Sequence, residues 1–290
     1  MVTYTLADLR RDVRSLVLEP AAHMFLDSEL STWLSLGIRD FSSRVLWYSR
    51  IVAKDVIANQ FEYDLPADIL KLELIRWNEQ YRPRVLDEAE WSAATFLQTD
   101  VSKTYPDFAF LYPHDKRLAI YPKPSATSPA TTLNGALTAV ATTITVASTA
   151  AFPTKGYLLI ENEQVRYFAT TATQFLLCRR GDGDTTAAAH ADLVAVKSGQ
   201  LQLYVRALPP DLTLSGDIPK LPDEYIEALT LYCGYRAYLK RQLYNEAGAL
   251  NKLYLQKREE AMREREQATF DSGGGVKDQE YQTGYFSDAY

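Results

Sequence analysis

The stretch from Pro222 to Gln267, PDEYIEALTLYCGYRAYLKRQLYNEAGALNKLYLQKREEAMREREQ, narrows the possible folds more than any other part of the chain. Apolar residues recur there at helical spacing. Tyr225, Ile226, Leu229, Tyr232, Cys233, Leu239 and Leu243, with the aliphatic stems of Arg236 and Lys240, make one broad face. Pro222 presets the backbone for a helix start, and Asp223 and Glu224 set negative charge against the positive end of the helix macrodipole. The pattern falters around Asn245 and Gly248, where Asn245 is placed to cap a second helix. That helix carries Leu250, Leu253, Tyr254 and Lys257, then enters the charge run Lys257 to Glu266. Its last turns are polar all round and must project into solvent or toward a partner. The hairpin reads as the anchor of a core whose work is contact with other protein chains.

The N-terminal part supplies elements to cover that face. A helix is predicted from Leu6 to Leu18, with Thr5 as its cap, Leu6, Leu9, Val13, Leu16 and Val17 on one side, and Pro20 ending it. A second starts near Asp27 or Ser28 and carries Leu30, Trp33, Leu34, Gly37, Ile38, Phe41, Val45 and Tyr48. Gly37 lowers helix propensity by roughly 1 kcal/mol against Ala; a plain core glycine is the favoured reading, with a close helix crossing as the alternative. From Ile51 the period shifts toward two. Strands are predicted at Ile51–Ile57, Phe61–Leu65 and Ile69–Trp77, a short helix at Arg84–Ala94, and a hairpin of Phe108–Tyr112 with Arg117–Tyr121.

At Pro122 the composition changes. Lys123 to Thr132 is a Pro, Ser and Thr linker, and Leu133 to Val196 is Thr- and Ala-rich with short β runs spaced by turn residues, as in a small barrel or sandwich. The alternation returns at Gln200–Ala207, which resembles Arg117–Tyr121. The simplest reading pairs these two strands in one sheet, with the β segment inserted between them. The expected fold class is α+β: a bundle of about four helices with a small antiparallel sheet (residues 1–128 and 197–268), an inserted all-β domain (129–196) and an extended C-terminal tail (269–290). The tail has a glycine triplet and no period, yet it holds Phe270, Tyr281, Tyr285, Phe286 and Tyr290. Five aromatics point to a segment that orders on binding a partner.

Chemistry-bearing motifs are scarce. The net charge of −6 argues against a protein devoted to gripping phosphates. No apolar run approaches the ~20 residues of a membrane span, and the opening MVTYTLADLRRDV reads as amphipathic helix rather than signal peptide. Cys178 and Cys233 sit in apolar segments, as buried small hydrophobes in a reducing compartment would. Nineteen tyrosines favour interfaces, because tyrosine gives large contact area at low entropy cost. His23, His114 and His190 lack metal-ligand spacing and are read as surface or turn residues. Arg180-Gly181-Asp182 is read as a β-turn. Carboxylate pairs such as Glu161 with Glu163 could serve a hydrolase only if placed across a cleft. Arg10, Arg11, Arg14, Arg44 and Arg50 are read as solvated surface. Neither a cofactor nor a metal is expected, nor enzymatic activity.

The order of parts resembles that of bacteriophage head-to-tail connector proteins, the adaptor or head-completion ring below the portal. The resemblance rests on FLDSELSTWLSLGIRDFSSR, QFEYDLPADILKLELI, RLAIYPKP and IPKLPDEYIEALTLYCGYRAYLKR, and covers about residues 5–124 and 200–268. The insert, with TTITVASTAAFPTKGYLLIENEQVRY and RRGDGDTTAAAHADLVAV, is similar to a β-module of various phage virion proteins. It departs from that pattern at Asp182 to Asp184, and at Leu193 where glycine is expected. The resemblance implies a structural protein of the virion neck, made in the host cytoplasm, that forms a homo-oligomeric ring of twelve copies. Its partners would be the portal protein and tail or nozzle proteins, with genomic DNA passing through without sequence-specific binding and no membrane contact. Phe270, Tyr281, Tyr285, Phe286 and Tyr290 would enter the portal, and Tyr254, Lys257, Arg258, Arg263 and Arg265 would form a subunit or portal contact helix. The rivals are another tail or nozzle ring component and, in a different class, a virion-associated cell-wall hydrolase.

Overall fold

The computed structural model describes residues 4–19, 24–93, 102–112 and 115–272. Over these residues the chain is mixed α+β, with five helices and several small sheets, none of them closed into a barrel. The described residues divide into two compact units: residues up to Tyr48 together with 207–272, and Ser49–Arg206.

The first unit is helical. Helix α1 (Leu6–Leu16) starts at a capping box in which the Thr5 hydroxyl accepts from the Asp8 N–H and the Asp8 carboxylate accepts from the Thr5 N–H. Helix α2 (Asp27–Val45) opens with Asp27 and Glu29 in its first turn and ends at Leu46, which is left-handed with φ 51°. Helices α4 (Ile226–Lys240) and α5 (Tyr244–Ser272) form the hairpin, and α4 packs on α1, α2 and α5. Leu6, Leu9, Val13, Leu30, Leu34, Ile38, Phe41, Leu229 and Cys233 are all fully buried in one core. Gly37 is where α2 meets α4. A Cβ there would lie 2.9 Å from Cδ1 and 3.2 Å from Cγ of Tyr232, tighter than real Cβ contacts allow without displacement. Asn245 is not a cap: α5 begins one residue earlier, and the Ala247 N–H already donates to the Leu243 carbonyl.

In the second unit the chain passes through β1 (Ser49–Lys54), β2 (Glu62–Asp64), β3 (Ile69–Trp77) and β4 (Arg84–Val85). It continues through helix α3 (Glu88–Ser92), β5 (Ser102–Lys103), β6 (Phe108–Tyr112), β7 (Arg117–Tyr121) and β8 (Lys123–Pro124). The helix expected over Arg84–Ala94 is shorter, because Arg84 and Val85 pair in parallel with β6 and Asp87 then caps α3. Trp91 of α3 stacks on Phe110 and Phe61, with centroids 5.1 and 5.7 Å away. The inserted segment carries β9 (Ala130–Thr132), β10 (Ile144–Thr145), β11 (Gly156–Ile160), β12 (Glu163–Tyr167), β13 (Ala169–Thr170), β14 (Gln174–Leu176) and β15 (Ala195–Ser198). Its two sheets, β12-β11-β15-β9 and β10-β14-β13, contribute to one apolar core that includes Ile144, Leu158, Val165, Tyr167, Phe175 and Val196.

The last strand, β16 (Leu201–Ala207), corrects the expected pairing. It lies between β1 and β3, in antiparallel register with β1 from Ser49↔Arg206 to Lys54↔Leu201. Both edges of β7 are taken, by β2 and β6, so no edge is left on it for β16.

Candidate functional site

The hairpin expected to carry contacts is built by alternation along α5. Ala247, Tyr254 and Ala261 recur every seven residues and are buried, while Lys252, Leu253, Gln256, Glu259, Glu260 and Arg263 face solvent. Tyr254, expected on the contact surface, is only 2% exposed and belongs to the core. Its ring packs edge-on against Tyr232 at 5.2 Å, and its hydroxyl donates to the Asp40 carboxylate of α2. Burial, followed by the hydrogen bond and charge of Asp40, raises its phenol above the ordinary tyrosine range. Arg258 closes the group, with Nη1 2.7 Å from Asp40 Oδ2 and its guanidinium over the Tyr254 ring. Arg265 donates to the Val45 carbonyl at 2.8 Å, satisfying an end group of α2 that the helix itself leaves open. Tyr254, Arg258 and Arg265 thus tie α5 to α2.

Lys257 and Arg263 are the two contact-helix residues held loosely. Lys257 lies 3.8 Å from Glu227 and from Glu260, and Arg263 lies 4.0 Å from Glu259 with a side chain 81% exposed. Exposed pairs of this kind contribute ~0–1 kcal/mol, so these cations remain available to a partner. Phe270 falls in the last turn of α5 by its backbone, where the sequence pattern starts an extended tail at 269. Tyr281, Tyr285, Phe286 and Tyr290 lie outside the described residues, as do His23 and His114.

Of the arginines read as solvated surface, Arg10, Arg14 and Arg50 are instead held by the fold, while Arg44 is exposed. Arg14 donates to the Phe25 carbonyl and to Asp27, at 2.9 and 2.6 Å, with its side chain 10% exposed. Arg10 donates to the Ser31 hydroxyl, and Arg39 pairs with Asp211 at 2.8 Å; Arg10 and Arg39 line a cleft of about 550 Å³ beside α2. Arg50 Nη2 donates to both carboxylate oxygens of Asp68, each at 2.7 Å. Arg11 fits the surface reading.

In the inserted segment sequence reasoning missed a buried charged cluster. Glu163 is 2% exposed and accepts from Nε and Nη2 of Arg180, each at 2.6 Å, and from the Gly181 and Ala188 N–H groups at 3.0 and 3.2 Å. His190, read as a surface or turn residue, is 5% exposed; Nε2 lies 2.8 Å from Glu163 and Nδ1 2.7 Å from Glu161. Burial pushes the Glu163 carboxyl up, but the hydrogen bonds of Arg180, His190, Ala188 and Gly181 outweigh it and bring it down to about 2. Such a carboxylate is ionised at neutral pH, and its hydrogen-bonding capacity is taken up by Arg180, His190 and two backbone N–H groups of the same segment. Arg180 is consumed by this cluster, and Gly181 is left-handed at φ 62°. Leu193, where the module pattern expects glycine, has φ 65° and is 71% exposed.

Both cysteines are buried free thiols, and burial pushes Cys178 up to about 11. Among the described residues no cluster of three or more His, Cys, Asp or Glu side chains could hold a metal ion, and no helix is long and apolar enough to cross a membrane.

Among curated proteins none matches the chain. A family model for the SU10 adaptor protein matches residues 4–277, nearly the whole chain and both sides of the insert. With the helical hairpin, the inserted β segment and the match all in view, the chain belongs to the SU10 adaptor protein family, a family of phage adaptors with a structural role.

Proposed function

We propose that the protein is a head-to-tail adaptor of the virion neck: twelve copies form a ring beneath the portal, extend the DNA channel and join the capsid vertex to the tail. The observation that carries this reading is the family match, which spans residues 4–277 and so includes the hairpin and the start of the C-terminal segment. Two features support it. Helix α5 continues past Ala261, the last buried apolar side chain among the described residues, to Ser272, leading into a segment whose Tyr281, Tyr285, Phe286 and Tyr290 would order against the portal. Lys257 and Arg263 offer exposed cations on the same helix for a neighbouring copy or the portal. DNA passes the ring without sequence-specific contacts, in keeping with the net charge of −6.

The test is a chain ending at Thr269, assayed for association with the portal and by circular dichroism. Association is expected to be lost while the helical spectrum stays. Undiminished association would remove the C-terminal segment from the mechanism, and particle necks imaged without this chain would overturn the adaptor reading.

A further inference from the structure

We infer that Gln164 fixes how the inserted segment is seated on the sheet β1-β16-β3, its side-chain amide supplying the neighbour that the outer edge of β1 would otherwise lack. Strand β1 pairs with β16 along its whole length. Its Ala53 N–H donates to Gln164 Oε1 at 2.7 Å, and its Ile51 carbonyl accepts from Gln164 Nε2 at 2.9 Å. Those two groups flank Val52, and a single residue of a parallel strand would bond the same pair, one as donor and one as acceptor. One amide therefore stands in for a strand, on a side chain that is 4% exposed.

The surroundings are fitted to that contact. Glu163 and Gln164 are successive residues of β12, so their side chains leave on opposite faces. Glu163 binds the turn at Gly181 and Ala188, while Gln164 reaches β1. The turn itself touches β1. Gly183 has φ 64°, and a Cβ there would lie 2.5 Å from the Ile51 carbonyl oxygen and 2.7 Å from Gln164 Nε2. Arg50 of β1 donates to the Gly183 carbonyl at 2.9 Å. Without the amide, the buried Ala53 N–H would lose this acceptor and the half-buried Ile51 carbonyl this donor, so the contact selects one orientation of the segment over others. This inference stands apart from the adaptor reading, because it is tested on the isolated full-length chain.

The experiment is residue-resolved amide exchange by NMR on the native chain and on Gln164→Met, which keeps the side-chain volume without the donor and acceptor. In the native chain Ala53 is expected to exchange as slowly as the β1 amides that face β16. In the variant Ala53 exchange is expected to rise at least about tenfold while Leu158 and Val165, paired between β11 and β12, stay protected. Spin labels at Thr173 and Gln80 should report a broader distance distribution in the variant. A native Ala53 that exchanges like an open edge amide overturns the inference, as does a variant in which Ala53 exchange and the label distance are both unchanged. If the variant loses protection at Leu158 and Val165 as well, the native Ala53 rate decides.

Discussion

Replacing Glu163 by glutamine tests whether the buried charge cluster holds the inserted segment together. The folded carboxyl titrates near 2 against an ordinary value of 4.5, a difference that contributes about 3 kcal/mol at neutral pH. Because the folded value is the lower one, that stabilisation is complete above about pH 4.5 and is lost as the pH falls toward 2. Glu163→Gln removes it at every pH and leaves Arg180, whose side chain is 6% exposed, without its anion. Breaking a buried pair in this way costs about 3–5 kcal/mol at pH 7. The assay is urea unfolding followed by the methyl NMR signals of Val165 and Val196, which report on this core alone. The native chain and the variant should differ by several kcal/mol at pH 7, and the gap should close by about 3 kcal/mol between pH 4.5 and pH 2. Asp8, Asp27 and Asp217 also titrate low, but they lie in the helical unit and are common to both proteins. A gap that stays constant down to pH 2 would refute the reasoning.

Two further substitutions probe backbone fit. Gly37→Val places a branched side chain against the root of the Tyr232 ring, and the overpacking is expected to outweigh the recovered helix propensity and destabilise the bundle by about 2 kcal/mol in urea titrations followed by circular dichroism. An unchanged midpoint would show that the α2–α4 crossing has slack. Leu193→Gly relieves a left-handed leucine and gives up an exposed side chain, so the inserted segment should gain about 1 kcal/mol by the methyl NMR assay; a loss of stability would mean that the leucine packs on something.

The bundle is legible in the sequence because its signals are local. Thr5 and Asp8 sit at the spacing of a capping box, and Leu30, Leu34, Ile38, Phe41 and Val45 repeat at the helical period, so α1 and α2 lie close to where the pattern predicts them. Gly37 leaves a plain core glycine and a close crossing both open, and only the position of Tyr232 decides for the crossing. Strand partnership carries no such signal. Arg117–Tyr121 and Gln200–Ala207 alternate alike, and alternation says which face is buried without saying which strand lies alongside. Tyr254 marks the same boundary: a tyrosine beside a charge run reads as surface until Asp40, from a helix far away in sequence, is seen to take its hydroxyl. The Glu163 cluster is hidden because its members, Arg180 and His190, are 17 and 27 residues away along the chain. Leu193 departs from the module pattern, and its backbone explains why glycine is expected there.

The placement of β16 between β1 and β3 dictates an order of events during synthesis. The ribosome releases both flanking strands before residue 77 and the central one only after residue 200, so for well over a hundred residues of elongation the two outer strands have no middle to zip onto. The β segment made in that interval can gather its own core meanwhile, and only then does its outgoing end deliver the strand that joins the first two. A nascent chain stalled before Leu201 should therefore leave the facing edges of β1 and β3 open, and one long enough to present Ala207 should close them.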